Sequence, residues 1–287
     1  MLQHAQQAEK VRTGWWRRRL RLLLALAFVA LFVALALLAP LLFAHGYNQQ
    51  NLMSSLMPPS SGNPLGTDEF GRNELARIVW GAQVSLEVGF IAVLAGAAFG
   101  GLLGIVAGLF GGVVDTLISA VADVIWSFPI ILLAIGLVAI LRPGVESAIV
   151  AIAFGFWPQY ARVVRSSTLE LRGRNFVEAA VAVGASQWRI ALRHILPNVL
   201  GQIVVLASVG VADAILAEAT LSFLGLGAQP PLPDWGGMLS AAQTYVLQAP
   251  WLSLAPGVAI TLVVIAFNEL GEALADVFAP QRRSLAG

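Results

Sequence analysis

The sequence contains no cysteine, which excludes disulfides and thiolate metal sites. Its three histidines, His4, His45 and His194, stand far apart, so neither a histidine-built metal centre nor any other cofactor is expected. Charge is scarce too. Asp, Glu, Lys and Arg make up 11% of the 287 residues, against about 25% in an ordinary soluble domain. No G-x-x-x-x-G-K-[ST] phosphate loop is present, so ATP hydrolysis by this chain is not expected. The H-E-x-x-H zinc signature and the G-x-S-x-G nucleophile elbow are also missing, which argues against an intramembrane hydrolase.

What the chain does have is apolar length. Hydrophobic residues make up 58% of it and the mean hydropathy is +0.79. They are gathered into blocks near the roughly 20 residues that a helix needs to cross a bilayer. Six such spans are read: Leu22–Phe43, Val88–Phe110, Thr116–Leu141, Ala148–Val164, Val199–Leu221 and Leu252–Phe267. The last is expected to run on past Glu269 and Glu272. The first exceeds the h-region of a signal peptide and no A-x-A cleavage site follows it, so it is expected to be retained. The expected class is therefore an all-α membrane protein with about six transmembrane helices.

Orientation follows from the basic residues. Lys10, Arg12, Arg17, Arg18, Arg19 and Arg21 precede the first span; Arg162, Arg165, Arg172, Arg174, Arg189 and Arg193 lie between the fourth and fifth. With Arg282 and Arg283, they fall on one side if both ends are cytoplasmic; Arg72, Arg77 and Arg142 remain outside. Residues 1–21 then form a basic cytoplasmic tail, and 22–83 the first span with an external segment. Residues 84–278 form the core membrane domain with a cytoplasmic loop at 165–198, and 279–287 a second tail.

Within these segments, Thr67-Asp68 is a good N-cap pair for a short polar helix. Gly96, Gly100, Gly104 and Gly108 recur every fourth residue, a stripe suited to close helix packing or to a gating hinge. Pro129 should kink the third span. In the cytoplasmic loop, Gly184 can end one short helix and Ser186 can cap the next. That helix is expected to stop near Leu196, before Pro197. Trp188, Leu192 and Ile195 would form its apolar stripe, with Arg189 and Arg193 offset from it. The outcome is a two-helix elbow whose apolar face docks into a partner, under the protein's own spans or on headgroups. Between the fifth and sixth spans, Gly225–Pro250 is expected to be external, its Trp235 suited to the membrane–water interface.

Glu178-Ala179-Ala180, Gly184 and Leu196-Pro197 resemble the EAA motif of ABC importer permeases. His194-Ile195-Leu196-Pro197-Asn198 is similar to the dipeptide/oligopeptide/nickel branch. So are Pro64-Leu65-Gly66-Thr67-Asp68-Glu69-Phe70-Gly71-Arg72, Leu221-Ser222-Phe223-Leu224-Gly225-Leu226-Gly227 and Phe267-Asn268. The match extends from about Arg19 to Pro280, and departs from the usual pattern at Gly271-Glu272 and Ala275-Asp276. The resemblance implies a type I ABC importer permease fold in a bacterial inner membrane. It implies a second homologous permease, two ATP-binding cassette ATPases and an extracytoplasmic substrate-binding protein as partners, and no nucleic acid. It also implies that the elbow, through Glu178, Ala179, Ala180, Gly184, Trp188, Arg189, Leu192, Leu196 and Pro197, couples to the ATPase. Small peptides are the expected substrate; nickel chelates and glutathione-like peptides are alternatives. An ion-gradient-driven transporter would leave the elbow without a purpose.

Acids inside spans are costly and point to function by default. Glu87, Asp123, Asp213 and Glu218 are such residues. Asp213, Glu218 and Asp123 are candidates for the translocation path, where a carboxylate would favour a cationic group; the competing reading is bonding to neighbouring helices. Thr67, Asp68 and Arg72 are candidates either for contact with the binding protein or for bracing the external mouth.

Overall fold

The architecture is taken from a computed structural model that describes residues 2–43 and 46–278, with side chains from residue 20 onward. The tail 279–287, with Arg282 and Arg283, lies outside the described residues. So do His45 and the side chains of His4, Lys10, Arg12, Arg17, Arg18 and Arg19. No strand occurs among the described residues.

The first apolar block lies in α1, Leu2–Leu42, whose helix continues back through the basic tail. Along the membrane part, Leu23, Leu24, Leu31, Leu37 and Leu41 are exposed while Ala25, Ala36 and Ala39 are buried. One face of the helix, with Ala25, Ala36, Val29, Phe32 and Val33, thus packs on the protein, and these leucines point away from it. α2, Glu74–Phe110, starts on an Asn73 cap whose side chain accepts from the Ala76 N–H. α5, Val145–Arg172, runs parallel to it.

The glycine stripe explains that pairing. A Cβ at Gly96 would lie 3.2 Å from the Ala153 carbonyl oxygen. At Gly100 it would run into the Trp157 carbonyl, at Gly104 into the Ala161 carbonyl, and at Gly108 into the Thr168 side chain. Four turns of one helix are set directly on the backbone of the other. The stripe therefore packs within the subunit, as small-xxx-small seams do.

The third block is two helices, α3 (Gly112–Trp126) and α4 (Ile130–Leu141), bent by 92° at a short break. The sequence predicts only a kink at Pro129. The break is sharper because Ser127 closes α3, its N–H and hydroxyl both returning to the Asp123 carbonyl, while Pro129 takes an extended ψ and starts a new helix. Four helices are long and apolar enough to cross a membrane, or five with the bent pair taken as one span. α5 packs beside α2 through the same depth and supplies the sixth crossing. Its 28 residues suffice in length, but Gln159, Arg162 and Arg165 lower its hydropathy.

The remaining crossings are α8 (Leu196–Phe223) and α10 (Trp251–Phe278), the latter passing Glu269 and Glu272 as expected. Between α5 and α8 lie α6 (Asn175–Ala182) and α7 (Gln187–Ile190). Between α8 and α10 lies α9, Trp235–Ala242, an eight-residue helix capped by Asp234. Trp235 is buried and donates to the Ile78 carbonyl at 3.0 Å. Instead of reaching the interface, this aromatic is tucked by α9 against α2 and α8.

Two further differences concern caps. Asp68 does not start a helix: its carboxylate accepts from the Phe70 and Arg72 N–H groups, each at 2.9 Å, closing a loop. The chain also does not stop before Pro197. Ala191–Ile195 forms a π turn that passes directly into α8, leaving Pro197 at its start. There the missing N–H is one of the groups a helix N-terminus cannot bond anyway.

Candidate functional site: a two-helix elbow and a cavity at the broken span

The elbow is built by local capping. Gly184, at φ +83°, ends α6, and nothing lies within 4 Å of where a Cβ would stand. Ser186 caps α7 by accepting from the Arg189 N–H at 3.3 Å. Val177, Ile190, Ala191 and Ile195 are buried against Ile105, Leu109 and Val164, fastening the elbow beneath α2 and α5.

The expected stripe divides. Ile195 is fully buried, whereas Trp188 and Leu192 are 54% and 64% exposed. A π turn places an extra residue in one turn and rotates the helix beyond it, so residues seven apart no longer share a face. Trp188 meets the Phe110 ring edge-on at 6.1 Å. With Val181, Val183 and Leu192 it forms an apolar crest open to the surroundings. Glu178, Ala179, Gly184, Arg189 and Leu196 are not buried, and Ala180 is. The sequence pattern misses Val181, Val183 and Ile190. The first two become legible only once Gly184 is known to turn the chain at that point.

At the α3–α4 break a cavity of about 550 Å³ opens between α4, α5 and α8. Its walls include Trp126, Phe128, Phe156 and Gln159, with Asp213 and Thr220 from α8. Asp213, Leu216 and Thr220 are the exposed positions on that stretch of α8 and all line the cavity; the rest is packed inward. Gln159 is not singled out by the sequence reading, although a Gln in an apolar span is itself a signal.

The three candidate acids part company. Asp213 lies on the cavity. Glu218 is 1% exposed and accepts from Ser85 at 3.0 Å and Ser222 at 2.8 Å, which joins α8 to α2. Asp123 pairs with Arg162 at 2.8 Å on the inner half of α3, beside an Asp115–Arg165 pair. Glu87 is exposed. Thr67, Asp68 and Arg72 are 1%, 3% and 7% exposed. Asp68 holds Arg72 and stands 3.4 Å from Arg77, and Thr67 donates to the Ser54 carbonyl and accepts from the Met57 N–H. They lie inside the outer loop, not on its surface. Nearby, burial raises the Asp234 carboxyl above its usual range, opposed by the Gly237 N–H.

Six crossings, an elbow with an uncovered apolar crest and a cavity at a broken span define a multi-pass membrane permease subunit. The model of binding-protein-dependent transport system inner membrane components matches residues 100–284. That of the N-terminal TM domain of oligopeptide transport permease C matches 16–59. The dipeptide transport system permease protein DppC of Alkalihalophilus pseudofirmus is 45% identical over 262 residues, covering 91% of this chain and 86% of that one. The glutathione transport system permease protein GsiD of Pectobacterium atrosepticum is 42% identical over 285 residues, 96% of this chain and 94% of the relative. The chain belongs to the family of binding-protein-dependent transport system inner membrane components, in the dipeptide/oligopeptide/nickel branch of ABC importer permeases. The fold agrees with that of the MetNI methionine ABC transporter in its inward-facing form, at a TM-score of 0.59 and 21% identity, covering 71% of this chain and 97% of that one.

Proposed function

We propose that this chain is half of the passage of an ATP-driven importer that carries short peptides across the bacterial cytoplasmic membrane, with both termini on the cytoplasmic side. A second permease of like fold would complete the passage, and two ATPase subunits would supply the energy. The observation that carries this reading is the elbow crest of Val181, Val183, Trp188 and Leu192. An apolar surface of this kind, rimmed by Glu178 and Arg189, is shaped for a protein groove. Closure of the ATPases around ATP would move the elbow, and differential affinity for the closed state would drive the change in access.

On the outer face the binding protein would meet exposed groups such as Leu52, Met53 and Leu247, which are 70%, 94% and 96% exposed. Thr67, Asp68 and Arg72 would brace the loop that presents Leu52 and Met53. A second reading, glutathione as cargo, is supported by the 42% identical GsiD relative.

The test is a mild-detergent pull-down of wild type beside Gly184→Trp, followed by reconstitution with the recovered partners. The expected result is stoichiometric recovery of a Walker-motif ATPase and a second permease, with the ATPase lost in the variant. Uptake of labelled alanyl-alanine against labelled glutathione separates the two cargoes. A chain that purifies alone and moves solute without ATP would overturn the importer reading.

A further inference from the structure

We propose that the cavity at the α3–α4 break is a recognition site for a primary ammonium group, with Asp213 as its anion. This rests on the peptide-import reading and names the part of the substrate that the membrane domain reads. Among the described residues Asp213 has no hydrogen-bond or ion-pair partner. Asp123 is engaged by Arg162, Asp115 by Arg165, and Glu218 by two serines, while Glu87 is exposed away from the cavity. An uncompensated carboxylate within a span is expensive and needs a counter-charge or a water-filled path. Asp213 is the acid that the cavity itself leaves open.

The cavity's chemistry narrows the counter-charge. A divalent metal takes four or more N, O or S ligands, and no group of three or more His, Cys, Asp or Glu residues able to hold one occurs among the described residues. One carboxylate and the Gln159 amide oxygen offer acceptors to a single N–H₃⁺. Trp126, Phe128 and Phe156 offer apolar and aromatic wall for the rest of a small molecule. The Trp126 face is already shared by Arg162 at 5.1 Å, so the ammonium is placed on the Asp213 side. The volume of about 550 Å³ falls among small-ligand pockets of about 300–1,000 Å³. Outside the cavity lining, the Tyr160 hydroxyl is buried without a hydrogen-bond partner against Gly210, one turn before Asp213 on α8.

The test uses the complete importer in proteoliposomes and a dipeptide probe, alanyl-photoleucine, whose diazirine labels what it touches. In wild type, adducts are expected on residues 125–133 and 155–159, and competition by excess alanyl-alanine should remove them. Asp213→Asn should reduce these adducts at least fivefold and raise the KM for ATP-driven uptake by a similar factor. Asp213→Glu should restore most of both. Equal recovery of assembled complex for the three proteins separates this from misfolding. Adducts unchanged in Asp213→Asn, or found only outside the cavity while uptake proceeds, would overturn the site but leave the importer standing. A wild-type complex that takes up no dipeptide at all would overturn the substrate reading and this proposal with it.

Discussion

Two adjacent glycines show how finely the α2–α5 seam is cut. A Cβ at Gly100 would strike the Trp157 carbonyl oxygen, whereas one at Gly101 would rest 3.5 Å from the Ile203 Cδ1 atom, an ordinary contact. Gly100→Ala must push two helix backbones apart, an overpacking that costs about 1–3 kcal/mol. Gly101→Ala adds helix propensity at no steric cost and should be neutral or stabilising by up to about 1 kcal/mol. Thermal unfolding in detergent, followed by loss of the monodisperse peak, should give a lower midpoint for the first variant only. Equal midpoints would contradict a seam built on backbone contact. At the same scale, Ser85→Ala leaves Glu218 with Ser222 alone as a partner. The buried carboxylate then loses a bond worth about 1.5–3 kcal/mol, and the same midpoint should fall.

The elbow reveals both the reach and the limit of pattern reading. Gly184 as the turn and Ser186 as the cap are local facts, carried by one residue each, and both are legible in the sequence. The face presented by Trp188 and Leu192 is not, because periodicity assumes a constant 3.6 residues per turn and Ala191–Ile195 departs from it. The 92° bend between α3 and α4 is legible as Pro129 but not in size, since the angle depends on how Ser127 closes the preceding helix. The acids divide in the same way: their presence in spans is plain, but only packing separates the open Asp213 from the bonded Glu218. Two changes test the elbow as a unit. Trp188→Asp with Leu192→Asp alters exposed positions, so the chain should insert normally while ATPase recovery falls more than tenfold. That is the loss expected when apolar burial worth about 1.5–3 kcal/mol per side chain is removed. Inserting one alanine between Ile195 and Leu196, carried as regular helix, would turn the elbow by about 100° relative to α8. The ATPase should again be lost, although every crest residue is retained.

For the whole molecule, six crossings put the elbow and the two described ends on one face and Leu247 on the other. The absence of cysteine makes this directly measurable. Single-cysteine variants at Val183 and Leu247, 85% and 96% exposed, need no background mutations. In intact spheroplasts a membrane-impermeant maleimide should label Leu247→Cys, and reach Val183→Cys only after permeabilisation. The reverse pattern would invert the orientation drawn from the basic residues.

The parallel seam of α2 and α5 also constrains how this chain can change length. Gly96, Gly100, Gly104 and Gly108 each meet a fixed partner on α5. One codon gained or lost midway along either helix would therefore throw every contact beyond it out of step at once. The loop between α1 and α2 is tied at Gly66 and Gly71 in the same way, but its exposed stretch 58–62 carries no such register. Natural insertions and deletions should accumulate there, and the spacings within 96–108 and within 153–168 should stay invariant even where the side chains themselves have drifted.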